Sequence, residues 1–443
     1  MPTSIERLCR AGWLPRGPRA DPRVRTDVQA RVRVLMIGPL PPPVGGMATV
    51  VSHLADAFAG EGEVPGAGTG CRPGSVAGLD AGLKLGTACG TPQVDLRVLN
   101  NVKTTAAGRS LAQGIGAQLR LLWWLASACL GWRPHIVHIH TCSRFTFWRN
   151  AVDVLLARLL LRSVVLHIHG AQFHLFLSSL SKSQAWLARR VFGLSSRLVV
   201  LGDGWKRLLD AWTDPAKVVV VPNGALVQPL VQPGATGPFR IICLANYEAR
   251  KGQADLLRAA ARLSLGTANR GSEPGSVSNP EAGPATTPVR RALRLELYGF
   301  EAEPGQRQAL LDLAAELGIA DCVQVPGPIT GPEKDQRLRT AHCFCLPSYD
   351  EGLPMSMLES MALGLPTVVT RVGSIPEAIA DGEQGLIFEP GDINALTVHL
   401  QTLIGDPARA AAIGNAGRER LITSFSLERS AALLRKVYRE LAR

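Results

Sequence analysis

Glu351 and Glu359 stand eight positions apart in the segment SYDEGLPMSMLESMALGLPTVVTRVGSIPEAI, and two carboxylates so spaced can hold hydroxyls at two ends of one ligand. The residues before them, AHCFCLPS, alternate polar and apolar side chains, which predicts a buried strand. Past Gly352 and Pro354 the period changes, and Met355, Leu358, Met361 and Ala362 fall on one face of a helix. Glu351 is thereby expected in the turn at the carboxyl end of a strand, with Glu359 about a turn inside the next helix. Open α/β sheets bind ligands in that crevice. The helix start around Leu353, Pro354, Met355 and Ser356 offers free amides and a positive dipole end, which suits a diphosphate. At helical pitch the two carboxylates lie at most roughly 12 Å apart. A nucleotide-sugar, with hydroxyls at both ends and phosphates between, matches that layout. Two glutamates at this spacing are by themselves more often solvated helix residues; the whole string from Ser348 to Ile379, with Gly373 and Pro376, is far more specific.

The elements needed to position these groups are legible as alternating strands and helices. RVRVLMIGP (31–39), DLRVLNN, PHIVHIH (134–140), SVVLHIHG (163–170), RLVVLG (197–202) and KVVVVPNGA (217–225) read as strands of a first domain. A helix is expected from about Ala48 to Ala59. FRIICLANYEARKG (239–252) opens a second domain as strand, turn and helix, continued by LRLELYGF, CVQVPGPI (322–329) and the glutamate segment. Such alternation calls for parallel, doubly wound sheets. The closing SFSLERSAALLRKVYREL is amphipathic, marked by Leu427, Leu434 and Val437. Residues 61–92 hold nine Gly where a second strand would be expected, and read as an irregular loop or distorted edge. Residues 266–290, with four Gly, four Pro and no aromatic residue, read as a mobile surface insertion.

On the string around Glu351 and Glu359 the chain resembles the retaining family 4 glycosyltransferases, whose GT-B fold sets two Rossmann-like domains across a cleft. The resemblance implies domains at 31–225 and 226–425, and a final helix, 426–443, crossing back onto the first domain. It implies that Glu351 approaches the hydroxyls of the donor sugar and Glu359 holds the ribose. It makes His169, at the end of SVVLHIHG, a group near the donor sugar and the anomeric centre, and Lys251 in ARKG the holder of the diphosphate, with Arg250 assisting. Gly45 and Gly46 match the family's Gly-Gly loop after the first strand, where small residues let the backbone come close to a phosphate or acceptor. Where the family commonly carries Gly-Arg-Leu, this chain has Ala245, Asn246 and Tyr247, so the phosphate clamp leans on Lys251 and Arg250. The implied reaction moves a sugar from a nucleoside-diphosphate-sugar to a saccharide or lipid-linked acceptor, with retention. The alternative from another class is a non-catalytic nucleotide-sugar-binding or scaffold protein on the same fold.

Other chemistries find little support. No Asp-x-Asp, Walker loop or nucleophile elbow occurs, so no metal or cofactor is expected. His138 and His140 mimic a metal pair, but lack a third ligand in sequence, and His167 shares the strand face of His169. Nine Cys without a CxxC pair form neither a zinc site nor a disulfide framework, Cys343 and Cys345 being read as core, and a reducing cytoplasm fits. The net charge is +12 and the pI about 9.6, yet no aromatic platform accompanies the basic residues, so nucleic acid is not the expected partner. Much of the charge lies in the first 33 residues, where eight Arg face Glu6, Asp21 and Asp27. Two readings of that tail stand side by side: contact with anionic lipid, and a disordered basic extension. The apolar run LLWWLASACLGW (121–132) reads first as a core helix and second as a membrane-surface element through Trp123 and Trp124. With no signal-peptide pattern, a cytoplasmic protein is expected, peripheral membrane contact remaining open.

Overall fold

The computed structural model describes residues 31–42, 45–59, 94–102, 111–231, 237–268 and 292–443. The expected tail (1–30), the Gly-rich stretch 61–92 and most of the expected insertion lie outside the described residues. At the insertion's near edge the preceding helix continues to Ala268, past the residue 266 at which the sequence suggested a break.

Two six-stranded sheets, every pairing parallel, form the two halves. The first has the order β2-β1-β3-β4-β5-β6, with β1 Val32–Gly38, β2 Val94–Asn100, β3 Ile136–Thr141, β4 Ser163–Ile168, β5 Arg197–Val200 and β6 Val218–Val220. Its central strands are buried almost throughout, as strands covered on both faces are, although β3 and β4 carry histidines among their apolar residues. α1 (Gly46–Ala59) starts two residues earlier than expected and buries Val50, Val51, Leu54 and Phe58 at helical spacing. It is followed by α2 (Leu111–Gly131), α3 (Phe145–Leu159), α4 (Phe173–Ser178), α5 (Lys182–Leu194) and α6 (Asp203–Leu209).

The strand order dictates where the helices go. The step from β1 to β2 runs one way along the sheet, and the later steps run the other. Right-handed crossovers then put α1 on one face and α2, α3 and α5 on the opposite face. α2 packs on α3 and α3 on α5, while α1 packs against the last helix.

The second sheet has the order β12-β11-β10-β7-β8-β9. Its strands are β7 Phe239–Leu244, β8 Leu293–Tyr298, β9 Val323–Gly327, β10 Cys343–Leu346, β11 Thr367–Thr370 and β12 Leu386–Phe388. The helices are α7 (Gln253–Ala268), α8 (Gln306–Glu316), α9 (Gly331–Thr340), α10 (Met355–Ala362), α11 (Ile375–Ala378), α12 (Ile393–Gly405), α13 (Pro407–Arg420) and α14 (Leu427–Leu441). The chain leaves β7 in one direction for β8 and β9 and returns on its other side as β10, so the gap between β7 and β10 is the topological switch point. Cys343 and Cys345 are fully buried in β10, as core residues.

Two ties between the halves involve helices. α14 returns to the first sheet, packing on α1 and β1 with Leu427, Leu434 and Val437 buried, and Leu427 N–H donates to the carbonyl of Ala225 at 2.9 Å. Glu377 of α11 reaches across to α6, where its two carboxylate oxygens accept from Asp203 N–H (2.7 Å) and Gly204 N–H (2.8 Å). A carboxylate suits that spot because the first amides of a helix have no partner within it.

Beneath α1 and α14 runs a row of imidazoles. Alternation puts His138 and His140 on one face of β3, and His140 lies in register with His167 on β4. His138 bonds the Tyr438 hydroxyl of α14 through Nδ1 and His167 Nδ1 through Nε2, the latter at 3.2 Å. His140 Nδ1 lies 2.7 Å from His169 Nε2. Burial pushes His138 and His169 down to about 3, and drives His140 and His167 well below the ordinary imidazole value. The row is therefore neutral in the native state.

Two outcomes are expected. Groups that stay neutral when folded but take up protons when unfolded leave stability intact above about pH 6.5 and remove it as pH falls. The urea midpoint should drop between pH 7 and 5, each imidazole contributing up to about 1.4 kcal/mol per pH unit; a flat profile there would show that the row takes up protons in the native fold. Replacing Glu377 by Ala removes two charge-assisted hydrogen bonds worth about 1.5–3 kcal/mol each. Hydrogen exchange at Asp203 and Gly204 should quicken by at least about tenfold, and unchanged exchange would mean that the tie does not hold in solution.

Candidate active site

Lys251 and Glu351 follow β7 and β10, the adjacent strands at the switch point, and so meet although a hundred residues separate them. Lys251 Nζ lies 2.6 Å from Glu351 Oε1, and Ser348 Oγ donates to the same oxygen at 2.7 Å. Both side chains are largely buried, 13% and 9% exposed. Both bonds go to Oε1, so Oε2 stands outside them. Two glycines make the approach possible. Gly252 adopts φ +69°, and a Cβ there would sit 1.9 Å from the carbonyl oxygen of Pro347. Gly373 adopts φ +55°, and its Cβ would sit 2.1 Å from the carbonyl oxygen of Glu351. Neither clash can be relieved by turning a side chain, so only glycine fits the two loops that close on Glu351.

α10 begins directly after this turn. Pro354 is its extended N-cap and supplies no side-chain cap, so the first-turn amides are not satisfied by a capping residue. Leu353 and Met355 are buried, and Ser356 and Pro354 are half-buried. The Leu353 carbonyl accepts from Asn223 Nδ2 at 2.8 Å, a bond from the end of the first half. Glu359, half-buried in α10, pairs with Lys334 Nζ of α9 at 2.8 Å. His53 of α1 feels that pair: burial lowers its pKa first, Glu359 raises it and Lys334 lowers it.

His169 reaches the same region from the first half. A Cβ on Gly352 would lie 3.1 Å from the His169 carbonyl oxygen, so the glutamate loop and the end of β4 are in contact. The His169 ring is half-buried and its Nε2 is taken by His140, which leaves Nδ1 for any other partner. Gly45 and Gly46 lie exposed where β1 passes into α1, and a Cβ on either would meet nothing within 4 Å. Among the described residues no packing contact requires glycine at either position.

The sequence reading needs adjustment in three places. Arg250, expected beside the phosphates with Lys251, turns its Nε to Glu248 Oε2, and this intra-turn pair competes for its charge. The helix containing 121–132 is core on one side only: Leu121, Leu125 and Cys129 are buried while Trp123 is 60% exposed. His138 and His140 do gain a third imidazole, His167, with one ring nitrogen of each within 4.8 Å of the others. Among the described residues these are the side chains that could hold a metal, and the Nε2 atoms of His140 and His167 are buried without a partner. Lys334, Ser348, Asn223, Glu377 and Tyr438 escaped the sequence reading. Ser348 and Glu377 lay within the quoted motif, and Asn223 and Tyr438 within other quoted segments. Ser348 bonds a near neighbour, but the partners of Glu377, Asn223 and Tyr438 lie far off in sequence and only the tertiary fold brings them together.

With this geometry established, comparison with known proteins is informative. Residues 45–224 match the model of a glycosyl transferase 4-like domain, and residues 231–420 that of the glycosyl transferases group 1, which together take in most of the chain. MMP alpha-(1->4)-mannosyltransferase of Mycolicibacterium hassiacum is 31% identical over 234 residues, 52% of this chain and 50% of the relative. The chain thus spans half the length of that relative. Glycogen synthase of Mycobacterium tuberculosis is 26% identical over 435 residues, covering 92% of this chain and 94% of its own. Sucrose-phosphate synthase of Thermosynechococcus elongatus superposes with a TM-score of 0.67 at 18% identity, over 93% of this chain and 99% of that one. Anabaena Alr3699/HepE in complex with UDP-glucose gives 0.64 at 13% identity, over 93% and 100%. Two six-stranded parallel sheets, with the residues of each half matching their respective domain models, identify the chain as a member of the group 1 glycosyltransferases with the GT-B fold.

Proposed function

We propose that this protein transfers a sugar, with retention, from a nucleoside-diphosphate-sugar to a hydroxyl of a saccharide or lipid-linked acceptor, in the assembly of a polysaccharide or glycolipid. The observation that carries the reading is the Lys251–Glu351–Ser348 contact at the mouth of the β7/β10 crevice, beside the uncapped start of α10. A neighbour of the same fold holds UDP-glucose, which supports a nucleotide-sugar here.

In this reading the diphosphate lies between Lys251 and the first-turn amides of α10. An ammonium has three donors, so Lys251 can keep Glu351 while it meets a phosphate. Glu351 Oε2 takes a hydroxyl of the donor sugar, Glu359 takes the ribose, and His169 Nδ1 serves the sugar near its anomeric carbon. Arg250 can join the clamp through its terminal N–H groups, since Glu248 takes only its Nε. The bond from the anomeric carbon to the leaving phosphate oxygen breaks through an oxocarbenium-like state. The acceptor oxygen bonds that carbon on the same face, and its proton passes to the departing phosphate, leaving glycosylated acceptor and nucleoside diphosphate. Lys251 and the helix amides stabilise the negative charge that grows on the leaving group. No divalent ion takes part in this scheme.

Binding and chemistry should separate on mutation. Glu359→Gln keeps size and loses charge, so affinity for the cognate nucleoside diphosphate should fall about tenfold to a hundredfold. An unchanged dissociation constant by calorimetry would remove the ribose role. Glu351→Gln and His169→Ala should leave that affinity nearly unchanged and lower single-turnover rates by about a hundredfold or more, because their contacts strengthen in the transition state. Rates are to be read with a chelator present and the fold checked by circular dichroism. Turnover surviving within about threefold in both variants would favour a non-catalytic nucleotide-sugar-binding protein instead.

A further inference from the structure

The outer helical layer of the first half carries a surface that transfer in the crevice does not use. On α2, Ile115, Leu119 and Trp123 recur at four-residue steps and are 54%, 61% and 60% exposed. On α3, Val152, Leu155 and Leu159 repeat the pattern at steps of three and four, also exposed. α5 adds exposed Trp186 and Leu187. Single exposed apolar residues are ordinary, but stripes on two adjacent helices, extended by a third helix of the same layer, make a patch of the kind that marks an interaction site.

Charge indicates which partner. From Leu111 to Leu194 the sequence has one acidic residue, Asp153. It is buried, bonded by Gln118 Nε2 at 3.0 Å, and burial pushes its carboxyl up to about 7. Arg120, Arg144, Arg158, Lys182, Arg189 and Arg190 are all exposed on or beside the same helices. The Arg190 guanidinium lies 5.1 Å over the Trp186 ring, so cation and apolar surface are interleaved. A second copy seated here by a two-fold contact would set these cations against their own equivalents. A layer of helices offers a broad face, suited to a plane, and α2 alone extends about 30 Å. Indole rings favour the boundary between headgroups and acyl chains, and Arg and Lys near it are drawn to anionic headgroups.

We propose that the outer face of α2, α3 and α5 docks the protein on an anionic lipid bilayer. Among the described residues no helix is long and apolar enough to cross a membrane, so the contact is peripheral. Its purpose, bringing a lipid-linked acceptor to the crevice, rests on the reading under Proposed function. The docking is read without turnover, so either can fail alone.

The test is flotation of the full chain with phosphatidylglycerol-containing vesicles and with phosphatidylcholine vesicles, at low and high salt. The protein should rise with the anionic vesicles at low salt and remain behind with the neutral ones. The triple variant Trp123→Ser, Leu155→Ser, Trp186→Ser changes exposed side chains only, so its melting temperature should stay put while vesicle affinity falls by about tenfold or more. Brominated acyl chains should quench the wild-type indole fluorescence and spare the variant's. Three results would overturn the proposal. These are no flotation with anionic vesicles, a triple variant that floats as well as wild type, or a wild-type dimer in light scattering that the variant makes monomeric.

Discussion

Much of this structure hangs on the contact between Lys251 and Glu351. The ammonium and carboxylate are largely withdrawn from water, and each is tolerated because the other is there. Removing one partner of such a pair leaves a stranded charge and typically costs about 3–5 kcal/mol. The contact requires β7 and β10 to be neighbours, which needs the sheet to reverse its winding direction after β9. It also requires glycine at 252 and 373, where backbone passes within the space of a side chain. The two loops, the start of α10 and the position of Glu351 are thus one mechanical unit.

The same electrostatic device is used twice. Glu351 is held by Lys251, and Glu359 by Lys334 from α9. Each carboxylate is oriented by a cation that is flexible, compact and rich in donors. A planar guanidinium would hold its carboxylate in a more rigid fork. Such pairs keep acidic groups in place without a ligand, and they can be shared with one, since neither Lys donor set is used up by a single carboxylate. The first half solves the opposite problem by burying imidazoles without charge. Its histidines bond each other and Tyr438, so the last helix contributes a hydroxyl beneath the row that ends at His169.

The two faces of the first sheet are correspondingly unlike. One is sealed by α1 and the returning α14, which tie the halves together. The other is covered by α2, α3 and α5, whose inner sides build the core and whose outer sides remain apolar and basic. One winding rule, the right-handed crossover, assigns helices to both faces. The sealed side is consequently the one that reaches the crevice.

Local pattern alone determined a good deal. Strand period, turn residues and helical spacing located the starts of the named strands within a residue or two, though β6 ends at Val220 and not at 225, and β11 and β12 were not read separately. The same patterns put Glu351 in a turn and Glu359 in the following helix. Those features depend on neighbours in the chain, which is why they can be read from it. Tertiary structure decided the rest. Lys334 joins the site from a helix whose own sequence carries no sign of it, because only the tertiary fold brings α9 beside α10. His167 becomes the third imidazole beside His138 and His140 through the register of β3 on β4, a relation between segments 29 positions apart. Arg250 was expected to assist Lys251, and its side chain pairs with Glu248 while its neighbour crosses to Glu351. The run 121–132 read first as a core helix and second as a surface element through Trp123 and Trp124; the packing of α2 turned Leu121 and Leu125 inward and left the Trp123 indole outside. Composition can say that a helix is apolar; only the surface it packs against decides which of its sides is buried.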